Sequence, residues 1–124
     1  MTPTPDTHPL AELQIQVHPD LAPQLDLQLL REQVEAIVKG EPAVIRSKTD
    51  EGEDAGRYLN FAFKTSDRAR LWRTLETQLY EHPQLGQLLR QSSMALCTGD
   101  DDWDDYLVLW HFNPEIEPDG VDEP

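Results

Sequence analysis

Arg57–Lys64 reads Arg-Tyr-Leu-Asn-Phe-Ala-Phe-Lys, RYLNFAFK. Leu59, Phe61 and Phe63 fall on one side of an extended chain, and Tyr58, Asn60 and Ala62 on the other. That two-residue period predicts a strand with one face against a core. Just upstream, Ala43–Thr49 carries Val44 and Ile45 and predicts a partner strand. Asp50–Gly56, DEGEDAG, lies between them. It is acidic, aperiodic and Gly-bearing, and reads as a hairpin loop longer than a two-residue turn.

Working outward, Glu12–His18 alternates in the same way, with Leu13, Ile15 and Val17 against Gln14, Gln16 and His18. Pro19 and Pro23 bracket the exit from this strand. Asp26 to Lys39 places Leu27, Leu30, Val34, Ile37 and Val38 at helical spacing. Asp26 serves as N-cap, and Gly40 followed by Pro42 as a stop. After the hairpin, Thr65 or Ser66 is expected to cap a second helix striped by Leu71, Trp72, Leu75 and Leu79. Pro83 interrupts it, since an interior proline removes a hydrogen bond and clashes with the preceding turn. Helical spacing resumes over Pro83–Gln91 through Leu85, Leu88 and Leu89. Ser93–Thr98 and Tyr106–Phe112 then read as two further strands joined by Gly99–Asp105, GDDDWDD.

The resulting order, β-α-β-β-α-β-β, predicts an α+β two-layer sandwich. Its first six elements match the split β-α-β plan of a ferredoxin-like antiparallel sheet, and the seventh adds a C-terminal edge strand. Residues 1–9 read as a disordered Thr/Pro-rich lead, 10–112 as a single domain, and 113–124 as an acidic disordered tail. This architecture hosts many unrelated functions, so the fold implies none.

The chain of 124 residues has 24 acids against 10 bases, a net charge of −14. The imbalance is local. From Asp100 to Pro124 there are ten acids and no Lys or Arg, leaving 14 acids and 10 bases in the first 99 residues. Such a balance opposes contact with nucleic-acid phosphates and anionic lipid. It favours a partner with a basic surface. No apolar run approaches the roughly 20 residues of a membrane span. With one cysteine, Cys97, and no basic-apolar leader at the N-terminus, the expected compartment is cytoplasmic.

The aspartate run is the most unusual local feature. Asp100, Asp102 and Asp104 have the alternation that opens a calcium loop, but Asp105 occupies the glycine position and His111 the position of the bidentate glutamate. Trp103, an aromatic in the middle of the run, is the residue type enriched at binding hot spots. His8, His18, His82 and His111 share no metal-ligand spacing, and neither a zinc site nor any other cofactor is expected. Cys97 reads as a small buried hydrophobe. No nucleophile elbow, phosphate loop or dinucleotide fingerprint is present. Arg68, Arg70 and Arg73 are the one basic cluster that stands out, expected to pair with nearby acids.

These features lead to a non-catalytic interaction protein of the inhibitor, immunity or nucleic-acid-mimic kind. Its expected partner-binding residues are Asp100, Asp101, Asp102, Trp103, Asp104 and Asp105, presented on a hairpin turn. The alternative is a small-ligand module or enzyme on the uncovered sheet face, with Tyr58, Asn60, Tyr106, Trp110 and Cys97 as candidates. A homodimer through that face or through an edge strand is the third reading.

Overall fold

The computed structural model describes residues 10–53, 56–99 and 102–119, with the backbone alone at 99 and 102–105. The alternating segments form β1 (Ala11–Val17), β2 (Val44–Glu53), β3 (Arg57–Thr65), β4 (Ser93–Gly99) and β5 (Asp102–Trp110). They pair antiparallel in one sheet of order β2-β3-β1-β4-β5. The helices are α1 (Leu27–Gly40), α2 (Arg68–Leu75) and α3 (Gly86–Ser92). The molecule is thus an α+β fold.

Period-two patterning explains the core. Leu13, Ile15 and Val17 of β1, Leu59, Phe61 and Phe63 of β3, and Ala95 and Cys97 of β4 are all at most 2% exposed. They meet Leu30, Val34 and Ile37 of α1, Leu71 and Leu75 of α2, and Leu89 of α3. Each large side chain buried this way contributes about 1.5–3 kcal/mol before chain entropy is set against it. The helices therefore cover one face of the sheet, and the other face stays open.

Four local expectations are corrected. Asp50, Glu51 and Glu53 belong to β2, paired opposite Asn60, Leu59 and Arg57, so the long acidic loop shrinks to a short turn. Gly56 in that turn has φ +122°, a conformation that suits glycine. α2 is capped by Asp67, whose carboxylate accepts the Arg70 N–H at 3.1 Å, and not by Thr65 or Ser66. α2 does not stop at a clean break but widens into a π turn, Glu76–Tyr80, before Pro83. The end of α1 owes nothing to a left-handed glycine. Its closing residue is Glu41.

Glu41 is 8% exposed and holds the end of α1 against α2. Its carboxylate accepts the Ala43 N–H at 2.9 Å, the Thr74 hydroxyl at 2.6 Å and the Arg70 Nε–H at 2.9 Å. Burial pushes its carboxyl pKa up, but these donors together outweigh burial and hold it below the ordinary value. A second close junction joins the π turn to α3. The Tyr80 carbonyl accepts the Arg90 Nε–H at 3.1 Å, and a Cβ on Gly86 would lie 2.2 Å from that carbonyl oxygen. From α3 the chain passes into β4 with no intervening residue. The Ser92 and Ser93 hydroxyls return to the Leu88 and Leu89 carbonyls, and Tyr80 Oη lies 2.7 Å from Ser93 Oγ.

Two stability tests follow from these junctions. Glu41→Ala should cost about 2–3 kcal/mol, because it removes a buried charged acceptor from three donors. Wild-type stability should carry the Glu41 contribution in full above the ordinary carboxyl pKa of 4.5 and lose it as pH falls towards the depressed folded value. The variant should lack that part of the acid limb. Urea melts across the acid range check both, and parallel pH profiles would contradict the role given to Glu41. Gly86→Ala should cost about 1–3 kcal/mol through overpacking against the Tyr80 carbonyl, read in the same melts.

Candidate interaction surfaces

Two surfaces carry the residues singled out by sequence: the β5 edge and the open sheet face. At the edge, Gly99 pairs with Asp102, so only Asp100 and Asp101 link β4 to β5. Those two residues lie outside the described set. Asp102, Trp103, Asp104 and Asp105 stand within β5 and not in a turn, a correction to the expected hairpin loop. Their side chains also lie outside the described set.

The chain beyond β5 comes back to it. The Asp119 N–H donates to the Val108 carbonyl at 2.6 Å, and Asp119 Oδ2 accepts the Val108 N–H at 2.8 Å. One residue thereby satisfies both outward backbone groups of Val108, the role a neighbouring strand would play. Glu115, Glu117 and Asp119 are exposed along this return.

On the other side of the molecule the candidate face does not converge. Tyr58 lies across Gly52, where a Cβ would sit 2.6 Å from its hydroxyl oxygen. Asn60 is opposite Asp50 on one side and Gln16 on the other. Tyr106, 53% exposed, is on β5, three strand spacings or about 14 Å from β3. Trp110 is not on the open face. The register slips between Ala95–Trp110 and Leu96–Val108, so Leu109 and Trp110 both oppose Ala95. This bulge turns Trp110 to the helix side. There its indole N–H donates to the Arg90 carbonyl at 3.0 Å, and the Arg90 guanidinium carbon lies 5.5 Å from the ring centroid. Tyr80 and Trp72 continue the cluster edge-on.

Cys97 is also absent from the open face. It is fully buried under the helices, its thiol donates to the Thr98 carbonyl at 3.4 Å, and burial pushes its pKa up to about 11. A thiol so placed is a poor nucleophile at neutral pH. Two arginines of the cluster make structural contacts. Arg68 Nη1 donates to the Thr98 carbonyl at 2.7 Å, and Arg70 pairs with Glu41.

Sequence reasoning missed the basic end of the open face. Arg46 and Lys48 of β2 and Lys64 of β3 line a shallow groove of about 480 Å³ with Glu12, Gln14 and Asn60. Lys64 Nζ is 2.9 Å from Glu12 Oε1, and Lys48 Nζ is 3.5 Å from Asp50 Oδ2. The signal was present in the two-residue spacing of Arg46 and Lys48. It was obscured because Lys64 comes from a distant stretch that only strand pairing brings alongside. His18 and His111 both pack against Phe112, and His82 Nδ1 accepts the Gln84 N–H. Among the described residues, no three His, Cys, Asp or Glu side chains are grouped to hold a metal ion. No described helix is long and apolar enough to cross a membrane.

No family model, curated protein or solved structure matches this chain.

Asp119→Ala should expose the Val108 N–H. Amide hydrogen exchange at Val108 should accelerate by about five- to tenfold, the equivalent of one hydrogen bond of roughly 1 kcal/mol. Unchanged exchange at Val108 would mean that the return segment does not protect the edge in solution.

Proposed function

We propose that this chain is a non-catalytic protein-interaction domain of ferredoxin-like plan with an added edge strand, and that its acidic β5 edge captures a partner bearing a basic surface. One observation carries the reading. The Asp119–Val108 pairing brings Glu115, Glu117 and Asp119 back beside the strand whose backbone also carries Asp102, Asp104 and Asp105. Both groups belong to a stretch of the chain without a single Lys or Arg.

The physics of such an edge is long-range steering. Several carboxylates of one sign raise the local potential and speed encounter with a cationic surface, more so at low salt. Trp103 would supply the apolar anchor that charge alone lacks. The open face offers a weaker case for a small ligand. Its groove is shallow, two of its lysines are already paired with Glu12 and Asp50, and Tyr106 and Trp110 lie away from it.

Replacing Asp100, Asp101, Asp102, Asp104 and Asp105 together with Asn tests the reading. The variant should melt like the wild type and fail to retain the basic protein that the wild type captures from lysate. Retention by the wild type should fall as salt rises. Equal recovery of the same partner by the five-Asn variant would sink the proposal.

A further inference from the structure

The two edges of the sheet are treated differently. At the β5 edge, Asp119 engages both outward groups of Val108. At the β2 edge, no strand lies beyond β2 among the described residues. An edge strand points every second N–H and C=O outward and so templates another strand. Proteins blunt such edges by shortness, proline, charged side chains or a bulge. β2 carries charges, and its register shift lies at its start, between Val44 and Arg46, leaving Arg46–Glu53 regularly paired. β2 is ten residues long, VIRSKTDEGE, against a usual five or six, and contains no proline. Its charges are of both signs and segregated, with Arg46 and Lys48 in the first half and Asp50, Glu51 and Glu53 in the second.

We propose that β2 pairs antiparallel with β2 of a second copy of this chain, joining two five-stranded sheets into one across a two-fold axis at Thr49. Segregated charge is self-complementary under such a rotation, because it sets the basic half of one strand against the acidic half of the other. The register is constrained further. A two-fold axis perpendicular to the sheet pairs residues of the same face. Centring on Lys48 would set lysine against lysine. Centring on Thr49 sets Lys48 against Asp50 and Ser47 against Glu51, twice over. The Lys48 and Asp50 side chains are exposed, 74% and 53%, while Glu51 is held by Arg31 of α1 at 2.6 Å, so the Lys48–Asp50 pairs carry the register. Their contact within one chain, at 3.5 Å, is exchanged for contacts between chains. Repulsion between two copies of net charge −14 is screened beyond about 8 Å at physiological salt, whereas directly opposed pairs are felt at closer range. The interface uses the sheet edge opposite β5 and is independent of the partner reading above.

Charge reversal gives the test. Sedimentation velocity on a dilution series of the full chain should show a monomer–dimer equilibrium for the wild type. Lys48→Glu and Asp50→Lys, each alone, should weaken self-association about tenfold or more, since two cross-strand pairs change from attraction to repulsion. An equimolar mixture of the two variants should restore association, because each strand then finds its complement in the other. At dilutions where every species is monomeric, thermal melts of both variants should match the wild type, as both positions are exposed. A wild type that stays monomeric throughout overturns the proposal, as does a dimer indifferent to either reversal. Single variants that dissociate but are not rescued by mixing overturn the Thr49 register and with it the interface.

Discussion

Everything in this fold leans on β1. Seven residues, AELQIQV, pair with β3 on one side and β4 on the other, and their apolar half lies 0–1% exposed beneath the helices. A strand paired along both edges leaves few backbone groups unmet, and its alternating side chains fix which face of every neighbouring strand turns inward. A slip of one residue against β3 or β4 would carry Leu13, Ile15 and Val17 to the open face. The helical layer is then a cover for the face that β1 selects, held at its ends by Glu41 and by the Tyr80–Arg90–Gly86 junction.

The two sheet edges show how the same chain handles one hazard in different ways. At β5, the carboxylate and the amide of one returning residue, Asp119, meet the outward groups of Val108. β2 has no strand beyond it among the described residues and is exposed on nearly every residue, with Glu51 tied to Arg31 of α1. The charged composition of the chain acquires a geography from this. Glu115, Glu117 and Asp119 lie exposed on the return beside β5, and a mixed basic and acidic strip lines the β2 edge, with β1 between them. Net charge by itself describes neither edge.

Much of this was legible in the sequence, and each failure has its own physical cause. β1 and β3 were readable because one face of each is buried and the other is not, which writes a two-residue period into the chain. An edge strand exposed on both faces has no reason to alternate, so Asp50, Glu51 and Glu53 of β2 read as a loop. The aspartates of β5 read as a turn because a run of acids broken only by Trp103 has no apolar residues to alternate. Trp110 was assigned to the wrong face because counting by twos assumes an unbroken register. The bulge at Leu109 leaves no mark in residue type. The groove at Arg46, Lys48 and Lys64 was invisible because it arises from pairing between distant segments.

The position of β1 has a consequence for how the protein assembles. The β2–β3 and β4–β5 hairpins close between near neighbours in sequence. The β1–β4 ladder joins Leu13 to Cys97, and the Glu12 N–H reaches Thr98 across 86 positions. Contacts of such separation carry a large loop-closure cost and slow the folding of a chain. On the ribosome, β1 emerges first, can pair with β3 once half the chain is out, and must wait with its second edge bare until β4 appears. Of the five strands, the one that organises the finished molecule is made before the others and is among the last to be completed, and during synthesis its unfinished edge is the place where errors of pairing would begin.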